Sequence, residues 1–253
     1  MPRKTIADLQ RMKERGQKIC AGVVYEAQMT RIFERAGVDM LSVGDSLGRA
    51  LLNYPNSDDY PVDDMLVFAR AVCRTAEKAV VNVDLPTQVC DAGPKEVERV
   101  ARILKNIGAD MTKIDIRTRE EELFDEVHAV IASGIAAYPQ IGFPVAPGAP
   151  RHGSSEDHDH VMKWAQAAQD AGAVMIDLTM VTPDIYRDVT RSMRIPVIGG
   201  QAGPEADGKI WVAWSLVGYL AQTIDAEGDA PSAAKYIYDI VSKAVGDVHA
   251  GAW

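Results

Sequence analysis

Three apolar segments of the chain each end in an aspartate, and these aspartates are the first candidates for chemistry. The segments MLSVGD, VVNVD and MTKID close on Asp45, Asp84 and Asp115. If the segments are parallel strands of one barrel, their carboxyl ends lie on one face, where such barrels carry their active sites. Three convergent carboxylates supply the oxygen ligands that a hard divalent cation prefers. The pattern therefore predicts an enzyme with a metal site.

Because side chains alternate along a strand, the sequence also predicts a cationic residue on this face. Lys113 lies two residues before Asp115, so the two side chains are expected to point the same way, as are Asn82 and Asp84. Lys113 would then be an electrostatic partner for a substrate or a carboxylate, with a Schiff-base lysine as the alternative. A single aspartate at a strand end is as often a turn former or a helix cap. Three at corresponding ends favour a functional site.

Ser46 has a second interpretation, as a nucleophile. The string GDSL at residues 44–47 matches the opening block of the serine esterases that are named after those four letters. A catalytic triad would then need the pattern Asp-x-x-His near the end of the chain. The sequence DVH at residues 247–249 brings the two residues one position too close. Because a match of four residues is a weak signal, the metal site remains the main interpretation.

A long polar segment follows the predicted fifth strand. Residues 144–158 read PVAPGAPRHGSSEDH, and a loop of this length is often functional. This region carries possible ligands for a transition metal at His152, Glu156, His158, Asp159 and His160. Because a polar loop has no fixed ligand geometry, we expect these side chains to be solvated.

The elements that would position these residues recur along the chain as a helix, a glycine and a strand. The joint appears in ERAGVDMLSVG, KNIGADMTKID and QDAGAVMIDLT, where Gly37, Gly108 and Gly172 are placed to end a helix. Thr5 and Asp8 predict a capping box at an N-terminal helix. The predicted strands are Ile19–Tyr25, Met40–Asp45, Ala79–Leu85, Met111–Ile116, Ala136–Phe143, Val174–Met180, Ile195–Gly199 and Ile210–Trp214. This order predicts a (β/α)8 TIM barrel with an N-terminal helix, as a single domain over residues 1–253.

Composition narrows the class of protein. With 253 residues, 47% of them hydrophobic, the chain is long enough for one large core. A net charge of −9 without a basic segment argues against a nucleic-acid partner. The cysteines Cys20, Cys73 and Cys90 have no metal-binding spacing, and an odd number favours a reducing compartment. The longest apolar stretch, residues 211–221, is too short to span a membrane, so we expect a cytoplasmic protein.

Five segments together resemble one known family. GVDMLSVGDSLG, YPVDDMLVFARAV, VVNVDLP, ADMTKID and IPVIGGQAGPEADGKI follow the order and spacing of the ketopantoate hydroxymethyltransferase family. The resemblance implies a barrel of the phosphoenolpyruvate mutase and isocitrate lyase superfamily. In that family Mg²⁺ holds the carboxylate and keto oxygen of a 2-oxo acid, and the enolate attacks the methylene group of methylenetetrahydrofolate, a step of pantothenate biosynthesis. Members are commonly decamers, so a homo-oligomer is expected.

The resemblance also implies roles for individual residues. By motif position Asp45, Asp84 and Asp115 look like the metal shell, with Asp45 and Asp84 also next to the substrate. Ser46 and Lys113 look like substrate contacts. Asp115 stands where the family usually has a glutamate, so the metal shell is altered by one methylene.

The proton-transfer part of the site departs further from the family. Thr179 stands where the family has an acidic base, and Gln140 stands where it has a histidine. Asp177 lies two residues before Thr179 on the same predicted strand face, where burial would raise its pKa. The predicted catalytic residues are therefore Asp177, Thr179 and Lys113. These departures leave open a folate-independent C–C lyase or retro-aldolase of the same superfamily, or a catalytically idle paralogue.

Overall fold

The centre of the structure, a computed structural model that describes residues 2–55, 60–146 and 148–252, is a closed barrel of eight parallel strands. The strands follow one another around the barrel in chain order: β1 Ile19–Val23, β2 Met40–Val43, β3 Val80–Asp84, β4 Met111–Asp115, β5 Ala136–Gly142, β6 Ile176–Thr179, β7 Val197–Gly199 and β8 Gly208–Val212. All eight predicted strands are present, the last beginning two residues earlier than the sequence indicated. The TIM-barrel prediction is confirmed.

Helices follow most of the strands. In the part of the chain that is described they are α1 Ile6–Glu14, α2 Ala27–Ala36, α3 Leu47–Leu52, α4 Val62–Thr75, α5 Thr87–Asp91, α6 Pro94–Asn106, α7 Glu120–Ala132, α8 Ser155–Ala171, α9 Pro183–Ser192, α10 Ala213–Leu216 and α11 Ala233–His249. None of them is both long and apolar enough to cross a bilayer.

The predicted joints between helices and strands are confirmed at the level of the backbone. Gly37 ends α2 and Gly172 ends α8, with φ angles of 98° and 103°. Residues with a Cβ rarely adopt this left-handed conformation, so glycine stops each helix and turns the chain into the next strand. The capping box of Thr5 and Asp8 opens α1, as predicted.

The predicted start of α8 was also wrong. The predicted polar loop 144–158 ends early, because α8 already begins at Ser155. Ser154 and Asp157 form a capping box that satisfies free backbone N–H groups of the first turn, which stabilises the helix at this point.

The chain divides into two compact units, Met1–Ile210 and Trp211–Trp253. The first contains α1 to α9 and the strands up to the start of β8. The second contains α10 and α11. A single domain over residues 1–253 stays a prediction.

Ion pairs fasten the N-terminal segment across the amino-terminal end of the barrel. Three basic residues are matched with three aspartates: Arg3 with Asp110, Lys4 with Asp39, and Lys13 with Asp207. Each aspartate precedes a strand and also accepts a backbone N–H from the strand before it, donated by Val81, Cys20 and Val197 respectively. These carboxylates therefore have structural partners, at the end of the barrel opposite to the predicted site.

The Lys13 pair gives a test of this arrangement. Lys13 and Asp207 are 2.6 Å apart with side chains only 12% exposed. Lys13→Met leaves the Asp207 carboxylate buried without its cation, so we expect the free energy of unfolding to fall by about 3 kcal/mol. Denaturant titration measures this loss. Arg11→Met is the matched control, because Arg11 pairs with Asp8 in an exposed position on the same helix, and a loss as large as that of Lys13→Met would contradict the explanation.

Candidate active site at the carboxyl ends of the strands

Asp84 is a buried carboxylate of the barrel interior with hydrogen-bond partners on both oxygens. Its Oδ1 atom accepts hydrogen bonds from Asn82 Nδ2 at 2.7 Å and from Ser42 Oγ at 3.3 Å. Its Oδ2 atom lies 2.8 Å from Lys113 Nζ and accepts the backbone N–H of Asp45 at 3.3 Å. Burial raises the pKa of Asp84, Lys113 opposes that rise, and the nearby Asp45 carboxylate adds to it. Three donors on β2, β3 and β4 and a fourth from the turn after β2 thus fix one buried carboxylate.

Lys113 lies between two aspartates in the barrel interior. Its Nζ atom is 2.8 Å from Asp84 and 3.7 Å from Asp177 Oδ2. Burial alone would lower the pKa of Lys113, but Asp84, Asp45 and Asp177 together raise it well above its ordinary value. The group is therefore a fixed ammonium ion. A Schiff base needs a neutral amine, so this environment does not favour one.

Asp177 is a buried carboxylate with a free oxygen. Its Oδ1 atom has no hydrogen-bond partner among the described residues. Burial raises the pKa of Asp177 to about 7, although Lys113 and Arg117 act in the opposite direction. The prediction that burial raises this pKa is confirmed. A carboxyl group that titrates near neutral pH is suited to proton transfer.

Thr179 lies two residues further along β6 and is also buried. Its Oγ1 atom accepts a hydrogen bond of 3.0 Å from Gln140 Nε2 on β5. The Gln140 Oε1 atom has no partner within the described parts of the chain. The two departures in the proton-transfer part of the site, Thr179 and Gln140, are therefore in direct contact with each other.

Ser46 is the residue immediately before α3, and it follows Asp45 in the turn after β2. Its hydroxyl group lies 2.9 Å from the hydroxyl group of Tyr25. A serine nucleophile needs a histidine or a similar base, which a tyrosine does not replace. Within the described residues Ser46 has no hydrogen bond to a histidine, so the contacts of Ser46 do not support the esterase interpretation. A hydroxyl pair at the barrel mouth is suited instead to binding a polar substrate group.

Asp115 is hydrogen-bonded to Arg117, which lies two residues further along the chain. Arg117 contacts it through Nε at 2.8 Å, Nη2 at 2.5 Å and the backbone N–H at 3.1 Å. Burial would raise the pKa of Asp115, but Arg117 outweighs this effect and holds it below its usual value. Both carboxylate oxygens of Asp115, which the sequence predicts as a metal ligand, are therefore hydrogen-bonded to a cationic side chain.

Two of the predicted ligands, Asp45 and Asp84, are suited to bind a hard cation together. Asp45 and Asp84 are close enough that the Asp45 charge raises the Asp84 pKa, and Asn82 Oδ1 is a buried oxygen without a partner among the residues described. Mg²⁺ is commonly bound by one or two carboxylates and several waters. Over the described ranges, no group of three or more His, Cys, Asp or Glu side chains is arranged to hold a metal. The metal shell of three aspartates stays a prediction.

The histidines that follow β5 do not converge on one point. His152 stacks on Phe143 with ring centroids 3.7 Å apart, while His160 contacts Glu120 and His158 lies near Asp188. Glu156 to His160 lie in α8, not in a loop as predicted.

Sequence reasoning missed three polar residues of the site. Ser42 bonds to Asp84 and Asn82, Tyr138 has a buried hydroxyl group without a partner in the described residues, and Arg117 holds Asp115. The register of β4 against β5 sets Tyr138 opposite Lys113 and Gln140 opposite Asp115. Tyr138 and Gln140 are two residues apart on β5, so the alternation of side chains places them on the same face of the strand. Only the register shows that they lie beside Lys113 and Asp115 of β4.

Comparison with known proteins agrees with the motifs. The family model described as ketopantoate hydroxymethyltransferase matches residues 3–244. The 3-methyl-2-oxobutanoate hydroxymethyltransferase of Leifsonia xyli subsp. xyli is 34% identical over 214 residues, which are 81% of this chain and 76% of that protein. The protein of the same name from Geobacter sulfurreducens is 30% identical, over 98% of this chain and 95% of its own length.

Solved structures with the same fold are more distant in sequence. A phosphonopyruvate hydrolase in complex with oxalate and Mg²⁺ superposes with a TM-score of 0.65 at 16% identity, covering 98% of this chain and 99% of that one. A 2,3-dimethylmalate lyase of the phosphoenolpyruvate mutase and isocitrate lyase superfamily gives 0.62 at 16% identity, over 83% of this chain and 79% of the other. These two show the fold, whereas the family model and the closer relatives show that the chain belongs to the ketopantoate hydroxymethyltransferase family, a family of transferase enzymes.

Proposed function

We propose that this chain transfers a hydroxymethyl group to a small 2-oxo acid of the 3-methyl-2-oxobutanoate type. Methylenetetrahydrofolate would be the one-carbon donor and Mg²⁺ the metal. The observation that carries the proposal is Asp177, a buried carboxylate with a free oxygen and a pKa of about 7, in the same barrel interior as the Asp45 and Asp84 pair. Family membership supplies the reaction type.

Asp45 and Asp84 would hold the metal ion. When bound, Mg²⁺ would stabilise negative charge that develops on the keto oxygen of the substrate. The charge of the site supports a divalent cation. Four aspartates, Asp45, Asp84, Asp115 and Asp177, stand against two cationic side chains, Lys113 and Arg117. An anionic 2-oxo acid would be repelled by this excess of negative charge unless more positive charge were added.

Asp177 would remove the proton from C3 of the 2-oxo acid. Its free Oδ1 atom is the acceptor, and the resulting carbanion is conjugated with the carbonyl group as an enolate. Lys113, 3.7 Å from Oδ2, keeps its proton and so orients the carboxylate without competing for the substrate proton. Ser46 and Tyr25 would donate hydrogen bonds to substrate oxygens at the rim.

We also propose that the protein forms a homo-oligomer, with the decamer of the family as the expected form. The second unit supports self-association, because α11 exposes apolar side chains that water solvates poorly. Five of these are between 46% and 70% exposed: Tyr236, Ile237, Tyr238, Ile240 and Val241. A cytoplasmic location and a place in pantothenate biosynthesis are part of the same proposal, and the free thiols of Cys20, Cys73 and Cys90 are compatible with a reducing compartment.

The base assignment predicts a pH dependence. Asp177 must be ionised to accept a proton, so exchange of the substrate C3 proton should rise with pH through about 7 and then level off. Asp177→Asn should abolish exchange, measured by NMR in deuterated buffer with Mg²⁺ present. Asp170→Asn, an exposed change on α8, is the control. Exchange at the wild-type rate in Asp177→Asn would exclude Asp177 as the base.

The metal assignment predicts which carboxylates affect Mg²⁺ binding. Asp45→Asn and Asp84→Asn each remove an anionic ligand, so the dissociation constant should rise on the order of 10-fold or more. Titration calorimetry measures this change. Asp91→Asn, at an exposed position of α5, should bind Mg²⁺ as the wild type does. Equal affinities for all four proteins would contradict the assignment.

A folate-independent C–C lyase is the second candidate, favoured by Thr179 and its contact with Gln140 in place of an acidic base. We expect product from 3-methyl-2-oxobutanoate only when methylenetetrahydrofolate is present, and Thr179→Glu should raise this rate. Release of formaldehyde from a hydroxymethylated 2-oxo acid without folate would instead establish the lyase. Absence of both reactions, with Mg²⁺ still bound, would favour an idle paralogue.

A further inference from the structure

The guanidinium group of Arg117 is largely buried, and one of its edges is hydrogen-bonded to Asp115. Its side chain is 16% exposed. The Nε and Nη2 atoms donate to the two oxygens of Asp115 at 2.8 Å and 2.5 Å. The Nη1 atom makes no hydrogen bond to any residue in the described ranges. The edge formed by Nη1 and Nη2 is therefore available to a ligand, and its geometry matches a carboxylate group with two parallel hydrogen bonds.

The surroundings of Arg117 locate the guanidinium group at the mouth of the barrel. Burial alone would lower the pKa of Arg117, but Asp115 raises it, and Asp177 and Asp45 add to that rise. Asp45 follows β2 and Asp177 lies on β6, so these two charges stand on different sides of the barrel from Arg117, which follows β4. The side chain of Arg117 turns back onto Asp115, the last residue of β4, so the guanidinium group lies at the carboxyl end of that strand, where such barrels carry their active sites.

Other cationic groups near this face are less available. Lys113 is buried between Asp84 and Asp177. Arg119, two residues beyond Arg117, has its Nη1 atom on Asp91 and its Nε and Nη2 atoms on Glu122. Arg117 thus differs from Lys113 and Arg119 in that it combines a largely buried guanidinium group with an unused hydrogen-bonding edge.

We propose that Arg117 binds the carboxylate group of the substrate through its Nη1 and Nη2 edge, and that Asp115 is a positioning residue for Arg117 and not a metal ligand. The identity of the substrate as a 2-oxo acid rests on the proposed function. The binding edge and the Asp115 contact rest on the geometry of the pair itself.

Asp115 performs this positioning by fixing the other edge. An arginine side chain has several rotatable bonds, and two hydrogen bonds to a carboxylate hold its plane in one orientation. The backbone N–H of Arg117 also bonds to Asp115, at 3.1 Å, so the carboxylate holds both ends of the residue. A ligand then meets a guanidinium group that is already oriented, which reduces the entropy lost on binding.

The experiment measures two affinities by titration calorimetry for each variant: Mg²⁺ alone, and 3-methyl-2-oxobutanoate with saturating Mg²⁺. Arg117→Gln should weaken binding of the acid by about 10- to 100-fold, the usual effect of losing a hydrogen-bonded charge pair, while Mg²⁺ affinity stays at the wild-type value. Arg117→Lys keeps the charge but loses the planar fork, so it should remain weaker than the wild type. Arg119→Gln is the matched control and should bind both ligands as the wild type does.

Asp115 is tested in the same way. Asp115→Asn should weaken binding of the acid and leave Mg²⁺ affinity unchanged, whereas Asp115→Glu keeps a carboxylate for Arg117 and should restore binding of the acid. The double variant Asp115→Asn with Arg117→Gln removes both charges together, so no unpaired buried charge is left to disturb folding. Retained Mg²⁺ binding reports that each variant is folded.

Two results would overturn the inference: wild-type affinity for the acid in Arg117→Gln, or a loss of Mg²⁺ affinity in Asp115→Asn comparable with that in Asp84→Asn. A wild-type protein that binds Mg²⁺ but no 2-oxo acid would instead contradict the proposed function. The two failures are therefore distinguishable in one set of titrations.

Discussion

The buried ammonium group of Lys113 is the interaction on which the rest of the site depends. It stands 2.8 Å from Asp84 and 3.7 Å from Asp177, and neither carboxylate could be buried in an ionised form without a nearby positive charge. Asp84 receives four donors and is fixed, whereas one oxygen of Asp177 has no hydrogen-bond partner in the part of the chain that is described. One lysine therefore supports two carboxylates with different environments, one suited to hold a cation and one suited to move a proton.

The two ends of the barrel use carboxylates for different purposes. At the amino-terminal end Asp39, Asp110 and Asp207 each accept a backbone N–H and pair with a basic residue of the N-terminal segment. These contacts satisfy the carboxylates and join neighbouring strands. In the barrel interior, towards the carboxyl-terminal end, Asp177 and Asn82 each keep an oxygen that has no hydrogen-bond partner among the described residues. Buried polar atoms without partners are costly, and their concentration in one interior is typical of a site whose ligands complete the bonding.

The sequence predicted the barrel and the strand-end aspartates because both depend on local patterns. Glycine ends a helix because its own backbone can adopt the left-handed conformation, as Gly37 does. An apolar segment that ends in aspartate can likewise be recognised in the sequence without knowing which strands lie next to it. Arg117, Ser42 and Tyr138 could not be found in this way. Their roles depend on the register between strands and on the direction of a long side chain, which is set by the partner that it meets. The start of α8 was missed because residues 155–158 are polar, although the Ser154 and Asp157 capping box is a local signal that could have located it.

The central claim is that burial raises the pKa of Asp177 to near neutrality, although the Lys113 ammonium group nearby opposes this rise. A direct measurement is an NMR titration of the protein with ¹³C in the aspartate carboxyl groups, compared with the same titration of Asp177→Asn. The account predicts one carboxyl resonance that titrates near pH 7 in the wild type and is missing from the variant. If every aspartate resonance of the wild type titrates below about pH 5, within the ordinary range of the group, the account of the site is wrong.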